Sequence, residues 1–326
     1  MESPTVYEDH VGLWADELQD WLPDTLFDVH VHVTPPDLIG PISDERRKDG
    51  LTAFPGFTWE QVLEAYSGLF PDKAITGLLG FPLPLREVNT EAANDYILGL
   101  MSGFPEIKGL ILAHPKDAQR TIAQFERARE AGAPFVGVKP YYDLLGKSVY
   151  ESTMPEFVPE ELVEFMDREG LILMLHTSGI GMGDPENQAY VKALATRFPG
   201  IRVVLAHMGR FLELDQFFRF MDSDVLDCPS IFLETSYVAR REVYDRVLGR
   251  KELWPRLLFG TDLPWGTWMG YEGADPTGGP FTYNTWHVLK AIKDAIEGLG
   301  LDAPAEERLK RGIFREHARA GLFGGA

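Results

Sequence analysis

The chain has 326 residues, 44% of them hydrophobic, with 31 Lys plus Arg against 50 Asp plus Glu and a formal net charge of −19. A length of this order allows one large barrel or two smaller domains, and the acidic balance excludes phosphate backbones and anionic membranes as natural partners. There is no run of about 18 apolar residues for a membrane span. The N-terminal "MESPTVYEDHVGLW" lacks the basic-then-apolar pattern of a secretory signal, and the single cysteine, Cys228, reads as a small buried apolar residue in a reducing cytoplasm.

Residues 1–22 predict a helix outside the main core. The first strand, 25–33 ("TLFDVHVHV"), places Asp28, His30 and His32 on one face and Val29, Val31 and Val33 on the other. Taken alone, the His30/His32 pair fits two partly exposed histidines as well as it fits two ligands of one ion. Apolar runs then alternate with segments whose apolar residues recur at i, i+3 and i+4. The predicted strands continue at 74–81, 108–114, 135–140, 171–177, 201–207, 231–236 and 256–262. The predicted helices cover 58–70, 87–104, 117–132, 159–170, 185–198, 212–223, 241–250 and 282–299, with further helix over 303–323. Eight βα units in succession predict an α/β fold, a (β/α)8 TIM barrel with extra N- and C-terminal helices, as a single domain over residues 1–326.

Three connections, 34–57, 141–158 and 264–281, are too long for plain βα loops, and all three leave the C-terminal ends of strands. They carry Phe54, Phe57, Tyr141, Tyr142, Trp265, Trp268 and Tyr271, which together suggest a lid over an apolar or aromatic substrate. Barrel enzymes place their chemistry at the C-terminal strand ends. His30 and His32 end the first predicted strand, His114 the third, Lys139 the fourth, His176 the fifth, His207 the sixth and Asp262 the eighth. Of the eight histidines, four therefore sit at three strand ends that one metal site can share. Three imidazoles and a carboxylate suit zinc or a similar divalent ion, with an open position for water.

The segments "DVHVHV", "LMLHTSG", "VVLAHMG" and "LLFGTDLPWG", in this order and spacing, resemble the amidohydrolase superfamily, and within it the amidohydrolase-2 group of lactone hydrolases and non-oxidative decarboxylases. The resemblance spans residues 24–323, and "NDYILGLMSGFP" and "ERLKRGIFREHARAGLFG" add weaker support. It implies one divalent metal ion, zinc, held by His30, His32, His176 and Asp262, with His207 at the reacting group or on a second ion. It also implies that Lys139 faces the substrate beside one metal, although in other branches a lysine here is carboxylated and bridges two. Pairing of Lys139 with a barrel carboxylate such as Glu234 is the purely structural alternative.

Asp262 and His207 are the expected catalytic pair. Tyr141, Trp265 and His114 join Lys139 as the expected substrate-facing residues, with packing as the alternative for His114. Asp28 is expected behind the ligands; Arg86, Arg210 and Arg240 follow strand ends and could hold a carboxylate, with surface ion pairing the preferred reading, and His10, His287 and His317 are read as structural. His317 stands where the group's last helix usually carries Asn, at a place expected to be far from the metal strands. The activity expected is hydrolysis of a small anionic cyclic or aromatic lactone or amide. Its alternatives are non-oxidative decarboxylation of an aromatic or muconate-type acid on the same ligands, and a catalytically silent metal-binding barrel. The expected partner is the small-molecule substrate, with no nucleic acid, no membrane and a homodimer left open.

Overall fold

The computed structural model describes residues 12–268 and 282–324. His10, Tyr271 and the first half of the helix expected over 1–22 lie outside the described residues. Eight strands form one sheet in chain order: β1 (Thr25–His32), β2 (Ala74–Phe81), β3 (Ile107–Leu112), β4 (Gly137–Lys139), β5 (Ile172–Leu175), β6 (Arg202–Leu205), β7 (Ile231–Glu234) and β8 (Leu257–Leu258). The helices between and after them include α1 (Trp59–Leu69), α2 (Thr90–Gly103), α3 (Ala118–Glu130), α4 (Met154–Phe157), α5 (Glu160–Glu169) and α6 (Pro185–Arg197). They continue with α7 (Leu214–Met221), α8 (Arg241–Leu248), α9 (Asn284–Gly298), α10 (Ala303–Arg311) and α11 (His317–Phe323). This is the (β/α)8 barrel that the alternation predicts. No helix among the described residues is long and apolar enough to cross a membrane.

Local chemistry sets the element boundaries. The side chains of Asn89, Asp117, Asp184 and Asp302 accept backbone N–H bonds at the starts of α2, α3, α6 and α10, and Pro185 opens α6. Gly170 ends α5 in the left-handed conformation. The strands β5 and β7 are buried along their whole length, as parallel strands covered on both faces must be.

The chain gathers into two compact units, Met1–Val31 with Glu60–Leu78 and Glu234–Ala326, and His32–Trp59 with Leu79–Leu233. In the first unit the last strand meets the first. The Val29 N–H donates to the Phe259 carbonyl at 3.0 Å, the Asp262 N–H to the His30 carbonyl at 2.9 Å, and the Thr235 N–H to Leu258 at 3.0 Å. Phe259 packs between Phe70 and Phe314, with ring centroids 6.0 and 5.2 Å away. In the second unit β3 to β7 pair in parallel, with Leu112 opposite Lys139, Leu175 opposite Leu205 and Leu205 opposite Leu233. The buried Asn94 of α2 holds both the N–H and the C=O of Leu112, which fixes that helix to β3.

The strands are shorter than the apolar runs suggest. β3 ends two residues before His114, β5 one before His176, β6 two before His207 and β8 four before Asp262. For β6 and β8 the reason is conformational: His207, Met208, Arg210 and Asp262 have φ of 54°, 55°, 56° and 58°, a left-handed region that no extended strand can contain. Cys228 is half-buried, not fully buried as expected.

The expectation that His317 lies far from the metal strands is overturned. Its Nδ1 donates to the carbonyl of Leu257, the first residue of β8, at 3.2 Å. Burial holds this imidazole below its ordinary value of 6.5, ahead of the opposing effects of the Leu257 bond and Glu316. The unfolded chain therefore takes up a proton near pH 6.5 that the folded chain resists, so this residue's stabilisation is lost as pH falls below that point. In urea unfolding at about pH 7.5 and about pH 5, a His317→Asn variant should lose less stability on acidification than the wild type. An identical loss in both proteins would remove His317 from the pH dependence.

Candidate active site

In the first unit the site grows out of β1. Asp28 and His30 share one face of the strand by its period of two. The His30 Nδ1 lies 3.0 Å from Glu234 Oε1. That carboxylate is fixed in turn by the Ser236 hydroxyl and the Ser236 N–H, each at 2.7 Å. Gly260 makes room for it, because a Cβ there would stand 2.6 Å from Glu234 Oε2 and 3.0 Å from the His30 Cβ.

A carboxylate only accepts, and in the neutral ring whose one proton goes from Nδ1 to Glu234, Nε2 carries a lone pair. That lone pair faces Asp262 Oδ1 at 3.2 Å. Behind the pair, Asp28 accepts from the His30 N–H and the Thr261 N–H, both at 3.0 Å, from the Tyr66 hydroxyl at 2.9 Å, and from the Thr261 hydroxyl. Burial pushes the Asp28 carboxyl up to about 7 against the pull of these four donors. Tyr237, also left-handed at φ 63°, follows β7; burial and then the charge of Asp262 push its phenol up to about 12, which keeps it a neutral donor.

In the second unit His32 and His176 are held in the same way. The His32 Nδ1 donates to the Pro82 carbonyl at 3.2 Å, with Phe81 edge-on to the ring at 4.7 Å. The His176 Nδ1 donates to the Thr177 carbonyl at 2.8 Å. Carbonyls also only accept, so in both neutral rings Nε2 carries the lone pair, the tautomer that binds metals. Burial first, then the positive fields of His207, Lys139 and Arg210, holds His176 well below 6.5, so it is neutral at pH 7. His207 lies edge-on to His176 at 5.5 Å. Tyr141 stacks on Tyr142 at 4.4 Å, and the two rings lie 5.1 and 5.5 Å from His176. Lys139, 1% exposed, holds its ammonium 5.2 Å from the Phe81 ring centroid and 5.6 Å from that of Tyr141.

His32 follows His30 on the same face of β1 by the strand's period of two. The donor set fits a divalent ion. A neutral imidazole lone pair aimed at a carboxylate oxygen 3.2 Å away is repulsive until a cation stands between them. His30, His32 and Asp262 would hold that ion, and His176 offers the same kind of nitrogen.

Other expected residues are placed differently. The His114 ring accepts only from the Lys116 N–H two residues on, at 3.4 Å, which is a local turn contact. Trp265 is buried in a short turn, Trp265–Thr267, directly after Asp262. Phe57 is buried as packing. Arg86 is no isolated surface pair: with Arg46 it clamps the buried Asp143, and Arg46 also grips Glu87 at 3.0 Å. That network ties the connections after β1, β2 and β4 together.

Glu234, considered in the sequence only as a partner for Lys139, is the residue that orients His30. The available signal was a lone carboxylate at the end of an apolar strand, "IFLETS". Removing its charge should leave His30 in place but free its tautomer. Glu234→Gln is expected to weaken binding of Mn2+, Co2+ or Zn2+ by about 10- to 100-fold with the melting temperature little changed. Calorimetric titration showing wild-type affinity would rule out the orienting role.

With this geometry in view, comparison with known proteins is direct. A family model described as amidohydrolase, of the amidohydrolase-2 type, matches residues 27–320. No curated protein matches by sequence. Among solved structures, 4-oxalomesaconate hydratase from Rhodopseudomonas palustris is 17% identical, with 91% of this chain and 95% of that chain covered and a TM-score of 0.56. The 2,6-dihydroxybenzoate decarboxylase from Rhizobium is 16% identical over 94% and 100%, with a TM-score of 0.56. The 5-carboxyvanillate decarboxylase from Novosphingobium aromaticivorans, solved with manganese and a nitrobenzoic acid, is 12% identical over 93% and 96%, with a TM-score of 0.55. At these identities the structures share the fold, and the match over residues 27–320 carries the assignment: the chain belongs to the amidohydrolase family.

Proposed function

We propose that the protein is a hydrolase with one divalent ion, zinc, acting on a small anionic cyclic or aromatic lactone or amide. The observation that carries this reading is the His30 Nε2 lone pair facing the Asp262 carboxylate at 3.2 Å, a pairing that calls for a cation. His30, His32, His176 and Asp262 are the proposed ligands. When bound, such an ion polarises a carbonyl and lowers the pKa of water toward about 7.

The chain's own residues supply the rest. Asp262 accepts the proton of the attacking water on its carboxylate and returns it to the leaving group. His207, presented by its left-handed turn, donates to the oxygen on which charge develops. Lys139 grips a substrate carboxylate in a site walled by Phe81 and Tyr141, where a charge-assisted bond is strengthened by the exclusion of water. The acidic surface and lone cysteine fit work in the cytoplasm on a small molecule.

A second reading is favoured by one feature, the burial of the Lys139 ammonium against aromatic faces. Such a cation suits the carboxylate of an aromatic acid, and three of the solved structures of this fold include decarboxylases of hydroxylated benzoates. In non-oxidative decarboxylation the same Asp262 or His207 would deliver a proton to carbon as carbon dioxide departs.

Two substitutions test these roles. Asp262→Asn should lower turnover by about a thousandfold or more while the protein stays folded, since positioned proton transfer is worth about 10²–10⁴; activity within about tenfold of wild type would exclude it as the base. Lys139→Met should keep one ion per chain and lose about 10- to 100-fold in affinity for anionic substrates, with neutral analogues much less affected. A drop in metal content instead, read by elemental analysis, would point to a carboxylated, bridging lysine.

A further inference from the structure

We propose that the cleft between the end of α1 and the start of β2 is a second ligand site, shaped for a small organic ammonium ion with an apolar body. It lies wholly within the first unit and does not depend on the substrate reading given above. Its volume of about 540 Å³ falls in the range of small-molecule pockets. Leu63, Tyr66, Phe70 and Ile75 supply apolar walls. The Tyr66 and Phe70 rings stand 6.1 Å apart, tilted by 37°, and aromatic faces attract ammonium ions. The Tyr66 hydroxyl donates to the buried Asp28 at 2.9 Å, which holds that ring in the wall.

The charge of the cleft is set by the end of the helix and by Asp72. Pro71, also in the lining, has no N–H and cannot donate to the Ser67 carbonyl one turn back. That carbonyl lacks its helical donor at the end of α1 where the helix dipole is negative. Asp72 follows, exposed and left-handed at φ 64°. Its partner among the described residues is the neutral Gln19 amide, at 3.5 Å. The next residue, Lys73, does not neutralise it. The Lys73 ammonium donates instead to the Leu22 carbonyl at 2.9 Å and to Asp24 at 3.2 Å.

These features select one kind of ligand. An anion would be repelled by Asp72 and the helix end. A purely apolar molecule would cover the walls and leave the carboxylate unmatched. An ammonium group on a ring or branched chain meets the carboxylate with a charge-assisted bond and the rings with its body. The net charge of −19 also draws cations toward the surface.

The test is calorimetric titration of the purified protein with benzylamine, with benzyl alcohol as its uncharged counterpart and methylammonium as the charge without the ring. The wild type should bind benzylamine with a dissociation constant of about 1 mM or tighter, and the other two at least about tenfold more weakly. Asp72→Asn keeps a residue that tolerates the left-handed conformation and should lose about tenfold or more in benzylamine affinity with the melting temperature unchanged. Leu63→Lys, at a position 48% exposed, should lose at least as much by setting a like charge in the wall. Equal binding of benzyl alcohol would make the cleft merely apolar, and equal binding of methylammonium would reduce the effect to surface charge; either overturns the assignment. Wild-type benzylamine affinity in either variant, or no benzylamine binding at all, overturns it as well.

Discussion

The site hangs on the proton of one imidazole. Glu234, pinned by both the hydroxyl and the N–H of Ser236, accepts from the His30 Nδ1. Once that proton is fixed, the opposite nitrogen has only a lone pair to present to Asp262, and the arrangement is stable only with positive charge between them. His32 and His176 repeat the device with the carbonyls of Pro82 and Thr177. The rings therefore arrive in the ligating tautomer already turned, and little ordering is left to be done when an ion binds.

The second requirement is to keep these groups still, and it is met by spending buried polar groups behind them. Asp28 gathers the N–H of His30, both donors of Thr261 and the Tyr66 hydroxyl. An isolated carboxylate at such depth would be expensive, yet four donors offset much of that cost. The clamp of Arg46 and Arg86 on Asp143 does a similar service for the long connections of the second unit, where Tyr142 immediately precedes the clamped aspartate. Rigid loops there hold the Tyr141 and Tyr142 rings against His176.

Much of this was readable in the sequence, for a physical reason. A strand buried on both faces reads as an apolar run, so a polar residue that breaks the run marks its catalytic end. His30, His32, Lys139, His176 and Asp262 stand at such breaks, which makes them candidates from the sequence. His114 lies two residues beyond Leu112, where β3 stops. The left-handed turns at His207 and Asp262 were illegible, since non-glycine residues at positive φ carry no compositional mark. The bond from the His30 ring to Glu234 has no signal in the sequence, because strand-end position names a candidate and only geometry names its neighbour. The Arg46–Asp143 contact, separated by 97 residues, has no local signature at all.

The seam between β1 and β8 also dictates when the site can exist. The bonds that set His30 against Asp262 join positions more than two hundred residues apart: the Thr261 N–H to Asp28 spans 233 positions and the His30 ring to Glu234 spans 204. Contacts of that separation form late, after the loop-closure entropy of the whole intervening chain has been met. A ribosome that has made β1 through β6 has thus released two histidines of the pair motif and none of their orienting carboxylates. During synthesis the His30 ring lacks the carboxylate that fixes its proton, and its placement against Asp262 appears only when the last strand docks. An ion held between His30 and Asp262 would consequently be captured with the closing of the sheet and not with the emergence of the motif.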